Sequence, residues 1–99
     1  MVTISSQRYL DPATVAAKRE AGDYVVSYVL VTVGGVEYRV VVDGHHSLAA
    51  ARKDGVEPAW TPAHQECQSE ADAMGGEPYL TAHMGDCDWY DVATGEGVW

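Results

Sequence analysis

Two apolar runs, Tyr24–Val33 and Val36–Val42, flank the pair Gly34-Gly35. A two-residue glycine loop between such runs signals a β-hairpin, and it fixes the pairing by arithmetic. Val33 falls opposite Val36, Val31 opposite Tyr38 and Val29 opposite Val40, so six apolar side chains share one face. Thr32–Glu37 and Leu30–Arg39 share the other, more polar face. Slipping the register by one residue would turn the apolar set toward water, so the core side chains dictate the pairing. The second strand then runs into Asp43-Gly44 and a helix that ends at Gly55. Leu48 and Ala51 are its expected buried pair, and Ala49, Ala50 and Ala51 let it approach a sheet closely.

The rest of the chain must pack on that unit. A short strand is expected around Val2–Ile4. Asp11-Pro12 opens a helix, with Asp as N-cap, Pro in the first position, Lys18 and Arg19 near the negative end of the dipole and Gly22 as the stop. Val56–Trp60 reads as a short strand that Pro58 assigns to an edge. Thr61-Pro62 repeats the opening of the first helix and Gly75-Gly76 repeats the stop, with Ala63, Cys67, Ala71 and Met74 as the apolar stripe between them. Weak alternation then suggests a second hairpin, Tyr79–Met84 and Cys87–Val92 about a Gly85-Asp86 turn. The expected fold is α+β: a small mixed or antiparallel sheet carrying about three helices. One domain, residues 1–99, is expected, with a core over 1–60 and an acidic helix-hairpin extension over 61–99.

The segment Val40-Val-Val-Asp-Gly-His-His-Ser-Leu-Ala-Ala-Ala-Arg52 resembles the second box of the ParB/sulfiredoxin superfamily. There a strand, a glycine turn and a helix N-terminus hold a nucleotide phosphate. The resemblance covers roughly residues 24–60 and implies a ParB/sulfiredoxin-like core, with Asp43, Gly44, His45, His46 and Ser47 as the anion- or nucleotide-binding turn. In ParB-like proteins the box runs Gly-x-x-Arg and the arginine supports the phosphates; here Ser47 stands in that place. A serine hydroxyl donates one hydrogen bond and brings no charge, so the resemblance implies weak nucleotide binding at most. In sulfiredoxins the turn carries a catalytic cysteine; neither Cys67 nor Cys87 is near it, and that activity is not expected. The bland alternative is that Asp43 caps the helix, Gly44 supplies the turn angle, and His45 and His46 lie on an exposed edge.

Charge is distributed unevenly. The net charge is −9. Residues 1–55 hold all six Lys and Arg against six acids and sum to zero, whereas residues 56–99 hold nine acids and no base. A direct nucleic-acid binder carries a basic footprint and this chain has none, which argues against DNA binding by the domain alone and makes a basic protein surface the more natural partner. The acids are interleaved with Trp60, Tyr79, Trp89, Tyr90 and Trp99, and Trp and Tyr are favoured anchors of protein interfaces. Glu66, Glu70, Asp72, Asp86, Asp88 and Asp91, with Trp89 and Tyr90, form the expected partner-binding set. In charge and size the chain also resembles small acidic phage proteins that mimic nucleic acid and block CRISPR or restriction enzymes.

His64, Cys67, His83 and Cys87 supply two nitrogens and two sulfurs, but their spacing matches no strong zinc pattern and Cys67 already belongs to an apolar stripe. No metal, cofactor or catalytic residue is expected. The longest apolar run is too short to span a membrane and Met1–Ser6 lacks the pattern of a leader, so a cytoplasmic location is expected, with both thiols free. The favoured reading is therefore a non-catalytic binding protein. The alternative is a ParB-like nucleotide-binding domain or hydrolase using Asp43–Ser47, with Mg²⁺ recruited by Asp43 or Glu37.

Overall fold

A computed structural model describes residues 1–99. The chain is α+β, in the order β1 (Val2–Ser5), α1 (Pro12–Ala21), β2 (Val25–Val33), β3 (Val36–Asp43), α2 (His45–Asp54), β4 (Ala59–Pro62), α3 (Gln65–Met74), α4 (Gly76–Ala82) and β5 (Tyr90–Asp91). One mixed sheet runs β4-β2-β3-β1-β5. β2 and β3 pair antiparallel in the register set by the valines: Val33 with Val36, Val31 with Tyr38, Val29 with Val40. β1 adds to β3 in parallel and β4 to β2 in parallel. A bulge at Ser27–Tyr28 leaves Val42 without a partner and bends the end of β3 toward the turn that starts α2.

Helices cover both faces. Ile4, Val29, Val31, Tyr38 and Val40 form the main core with Ala71 of α3, Tyr79 and Leu80 of α4, and Trp89. Val26 and Val41 meet Leu48 of α2 on the opposite face, and α1 packs against α2. α1 begins and ends as its residues dictate: Asp11 accepts the Ala13 N–H at 3.1 Å, and Gly22 closes it at φ 65°. The open edge of β2 beyond β4 is sealed by a side chain. The Gln68 amide accepts the Leu30 N–H and donates to the Leu30 carbonyl, both at 2.9 Å, as a neighbouring strand would.

Three expectations need correction. The fourth strand starts at Ala59 rather than Val56 and includes Pro62, so Thr61-Pro62 does not open α3; His64 is the N-cap, its Nδ1 accepting the Glu66 N–H at 3.3 Å. No second hairpin forms. Tyr79–Ala82 belongs to α4, where consecutive Tyr79 and Leu80 are both buried, and only Tyr90–Asp91 is a strand, paired with β1. The helices therefore number four. Gly76 explains the extra one: a Cβ there would stand 2.3 Å from the Thr32 carbonyl oxygen, so the glycine lets α4 start against β2 immediately after α3 stops. No helix is long and apolar enough to cross a membrane.

Candidate functional site

Each residue of the Asp43–Ser47 turn is engaged by the protein itself. Gly44 lies at φ 87°, and a Cβ there would sit 2.5 Å from the Val25 carbonyl oxygen, so the space glycine leaves is filled by the β2 backbone. Its N–H is taken by Asp43 Oδ1 at 2.8 Å. Asp43 makes no side-chain cap to α2, which corrects the capping role considered for it. His45 Nδ1 lies 3.2 Å from Ser5 Oγ, and burial holds its imidazole below the ordinary histidine pKa, against the opposing pull of Asp43 and Asp86. His46 Nε2 accepts the Asp11 N–H at 3.1 Å, fastening α2 to the cap of α1. Neither imidazole sits on an exposed edge: both are half-buried. Ser47 is 2% exposed, and its hydroxyl helps, after Lys18 and the Val25 N–H, to hold the Asp23 carboxyl below its usual range.

Beside the turn lies a cavity of about 380 Å³. It is lined by His45, by β3 from Val40 to Val42, by Cys67 and Glu70 of α3, by Tyr79 of α4 and by His83, which caps α4. Glu70 Oε1 is 2.5 Å from His83 Nε2, and the Tyr79 ring lies 4.4 Å from the imidazole. A carboxylate orienting a histidine is half of a base-and-nucleophile set. The other half is missing, since no hydroxyl or thiol is hydrogen-bonded to His83 and burial pushes the Tyr79 phenol up. No Lys or Arg lines the cavity, so a phosphate there would face Glu70 with no fixed cation.

The four possible zinc ligands do not converge. No group of three or more His, Cys, Asp or Glu is placed to hold a metal ion. His64 caps α3, Cys67 packs on the main core and His83 holds Glu70. Burial, with Asp86 beside it, raises the Cys87 thiol; both cysteines are free.

The expected partner-binding residues divide into two groups. Glu66 and Asp88 are exposed and their carboxylates make no hydrogen bond, and Glu77 and Glu96, outside the expected set, are in the same condition. The others are partly committed. Glu70 holds His83, Asp72 accepts from Gln68 at 2.9 Å, and Asp91 accepts the Ala93 N–H at 2.8 Å. Asp86 accepts the N–H groups of Arg8 at 2.9 Å and Tyr9 at 3.1 Å, which hold its carboxyl below its usual range. Trp89 is corrected outright. It is 8% exposed, with its indole N–H on the Leu80 carbonyl at 3.0 Å, and is a core residue rather than a surface anchor. Tyr90 is half-buried beneath the Arg8 guanidinium, and its hydroxyl donates to the Gln7 carbonyl at 2.9 Å. Of the five aromatics interleaved with the acids, Trp99 alone is mostly exposed, at 59%.

Sequence reasoning missed the buried pair Ser5-Ser6: Ser5 meets His45, and Ser6 docks the segment around Gly85. The Gly85 N–H donates to Ser6 Oγ at 2.7 Å and the Cys87 N–H to the Ser6 carbonyl at 3.1 Å. Two serines carry no hydrophobic signal, and only their place at the end of an apolar strand could have marked them. No protein-family model, curated protein or solved structure matches the chain.

Proposed function

We propose that this protein is a non-catalytic binding protein that presents its acidic C-terminal half to a basic protein partner. One observation carries the reading. Residues 56–99 hold nine acids without a Lys or Arg, and Glu66, Glu77, Asp88 and Glu96 keep their carboxylates free of any intramolecular bond. Unpaired exposed carboxylates repel one another and gain most from a cationic surface brought against them. The partner class that best matches is a nucleic-acid-handling enzyme, for which these carboxylates stand in for phosphates. The specific form of the proposal is a phage-type inhibitor of a CRISPR or restriction enzyme.

The scaffold, on this reading, is a degenerate ParB-like domain. The unit of β3, a left-handed glycine and α2 supports that descent. The engaged state of Gly44, Ser47 and the Gly44 N–H supports the loss of phosphate binding.

The test is capture of a partner at two salt concentrations. Wild-type protein should retain a basic protein at 0.1 M salt and release it at 1 M, where screening shortens to about 3 Å. The double variant Glu66→Lys/Asp88→Lys should fail to retain it, and these positions are better than Asp86, whose carboxylate supports the Arg8 and Tyr9 backbone. A complex indifferent to both salt and charge reversal would refute the reading. Addition of CTP or ATP with Mg²⁺ should leave the melting temperature unchanged, because a ligand of the native state would raise it.

A further inference from the structure

The acidic half also carries an apolar groove of about 720 Å³, lined by Pro78, Leu80, Ala82, Met84, Trp89 and Trp99 together with Glu77 and Thr81. Its base is apolar, since Leu80 is 4% and Trp89 8% exposed and the Trp89 indole N–H is spent on the Leu80 carbonyl. Its rim is open, with Met84 45% and Trp99 59% exposed. Trp99 is held in place despite that exposure. The Val98 N–H donates to the Trp89 carbonyl at 3.1 Å, Val98 packs on the core, and the Trp99 ring meets the edge of Tyr38 at 5.2 Å. An exposed tryptophan with its position already fixed loses little freedom on binding, and methionine adapts to varied apolar side chains.

We propose that this groove takes one short segment of the partner protein, an apolar stripe flanked by Lys or Arg, packed on Trp99. Charge selects the occupant. Glu77 lines the groove and no base does, and Asp88 immediately precedes the floor residue Trp89. A second copy of this chain would bring another −9 to an already acidic surface, so self-association is disfavoured. An anionic lipid surface is rejected for the same reason. The inference rests on the reading that the acidic half meets a basic protein, and it adds where the contact is anchored and by what.

Two labelled peptides of equal positive charge separate the two statements. One is a helical Leu/Lys peptide with an apolar stripe, and the other replaces each Leu with Ser. At 0.15 M salt the Leu/Lys peptide should bind wild-type protein about tenfold or more tightly than the Ser/Lys peptide, as an anchor residue implies. Trp99→Ala should erase that difference and leave Ser/Lys binding unchanged, with an unaltered melting temperature showing that the fold survives. Equal binding of the two peptides, or a difference that persists in Trp99→Ala, overturns the groove. The acidic reading is judged separately: Glu66→Lys/Asp88→Lys should weaken both peptides, and if it weakens neither, that reading falls and the groove proposal with it.

Discussion

The two halves of the chain treat charge differently. In residues 1–55 two of the six cations meet acids of the same half: Lys18 reaches Asp23 at 2.8 Å, and Arg19 reaches Asp54 at 2.7 Å, where the Tyr24 hydroxyl also donates at 2.8 Å. In residues 56–99 the one comparable contact is Glu70 with the His83 imidazole, and no salt bridge joins one half to the other. At the seam, besides the β2–β4 and β1–β5 strand pairs, charged groups meet aromatic rings and backbone: Arg39 lies over Trp60 and Arg8 over Tyr90. Arg8 donates to the Gly95 carbonyl, Arg52 to the Val92 carbonyl, and Asp86 accepts the N–H groups of Arg8 and Tyr9. Both halves leave exposed carboxylates free, but Glu20 and Glu37 share their half with six bases, whereas Glu66, Glu77, Asp88 and Glu96 lie in a half that has none. Such a surface persists because one apolar cluster, running from Ile4 and Val29 to Ala71 and Trp89, crosses the seam.

Truncating that cluster gives the largest effect. Trp89→Ala should cost about 3–5 kcal/mol in denaturant unfolding, in a single transition that takes both halves together. Trp99→Ala, exposed and outside the core, should stay within about 0.5 kcal/mol. Two separate transitions for Trp89→Ala would mean that the halves are independent units. Gly44→Ala comes next: its left-handed backbone costs about 1–2 kcal/mol for a residue with a Cβ, and the overlap with Val25 adds about 1–3 kcal/mol. Gly76→Ala lacks the conformational penalty and should lose only the second amount, about 1–3 kcal/mol, against the Thr32 carbonyl. A larger loss at Gly76 than at Gly44 would reverse the order in which the halves depend on close backbone packing.

Those glycines also mark what could be read from the residues alone. The β2–β3 register was legible because six apolar side chains and a two-residue loop leave one solution. α1 was legible because Asp11, Pro12 and Gly22 each act locally. Gly76 was not: two glycines in a row read as a stop, and only the carbonyl of Thr32, distant in sequence, makes the second one a start. The Asp43–Ser47 turn was placed correctly as strand, glycine and helix. Its closure by Val25, Asp11 and Ser5 depends on segments the motif does not include. Trp89 and Trp99 look alike among the acids, and burial separates them only once α4 replaces the expected strand.

Histidine 45 gives a smaller, pH-dependent handle on the balanced half. Burial lowers its folded pKa, so the unfolded chain binds its proton more readily. The stability it contributes is complete above the unfolded value of about 6.5 and is lost as pH falls through the folded pKa. Asp23, Asp54 and Asp86 are also depressed, so their contribution is present above about pH 4 and is lost only below it. Between those limits the melting temperature of wild-type protein should fall more steeply with acid than that of His45→Gln. Parallel curves would show that the imidazole is not desolvated in the native state.

The smallest effects carry the sharpest contrast, because their signs should differ. Asp54→Asn removes a carboxylate that receives both Arg19 and the Tyr24 hydroxyl, and its own carboxyl is held low first by that hydroxyl and then by Arg19. The melting temperature should therefore fall. Asp88→Asn removes a carboxylate that bonds to nothing and sits in a half with no Lys or Arg. Like-charge repulsion is relieved and no contact is lost, so the melting temperature should hold or rise slightly. Salt distinguishes this from a packing effect: the gain from Asp88→Asn should shrink toward zero at 1 M, where screening has already silenced the repulsion. A fall in melting temperature for Asp88→Asn, unaffected by salt, would mean that this carboxylate holds structure together, and the acidic half would then be built on the same terms as the balanced one.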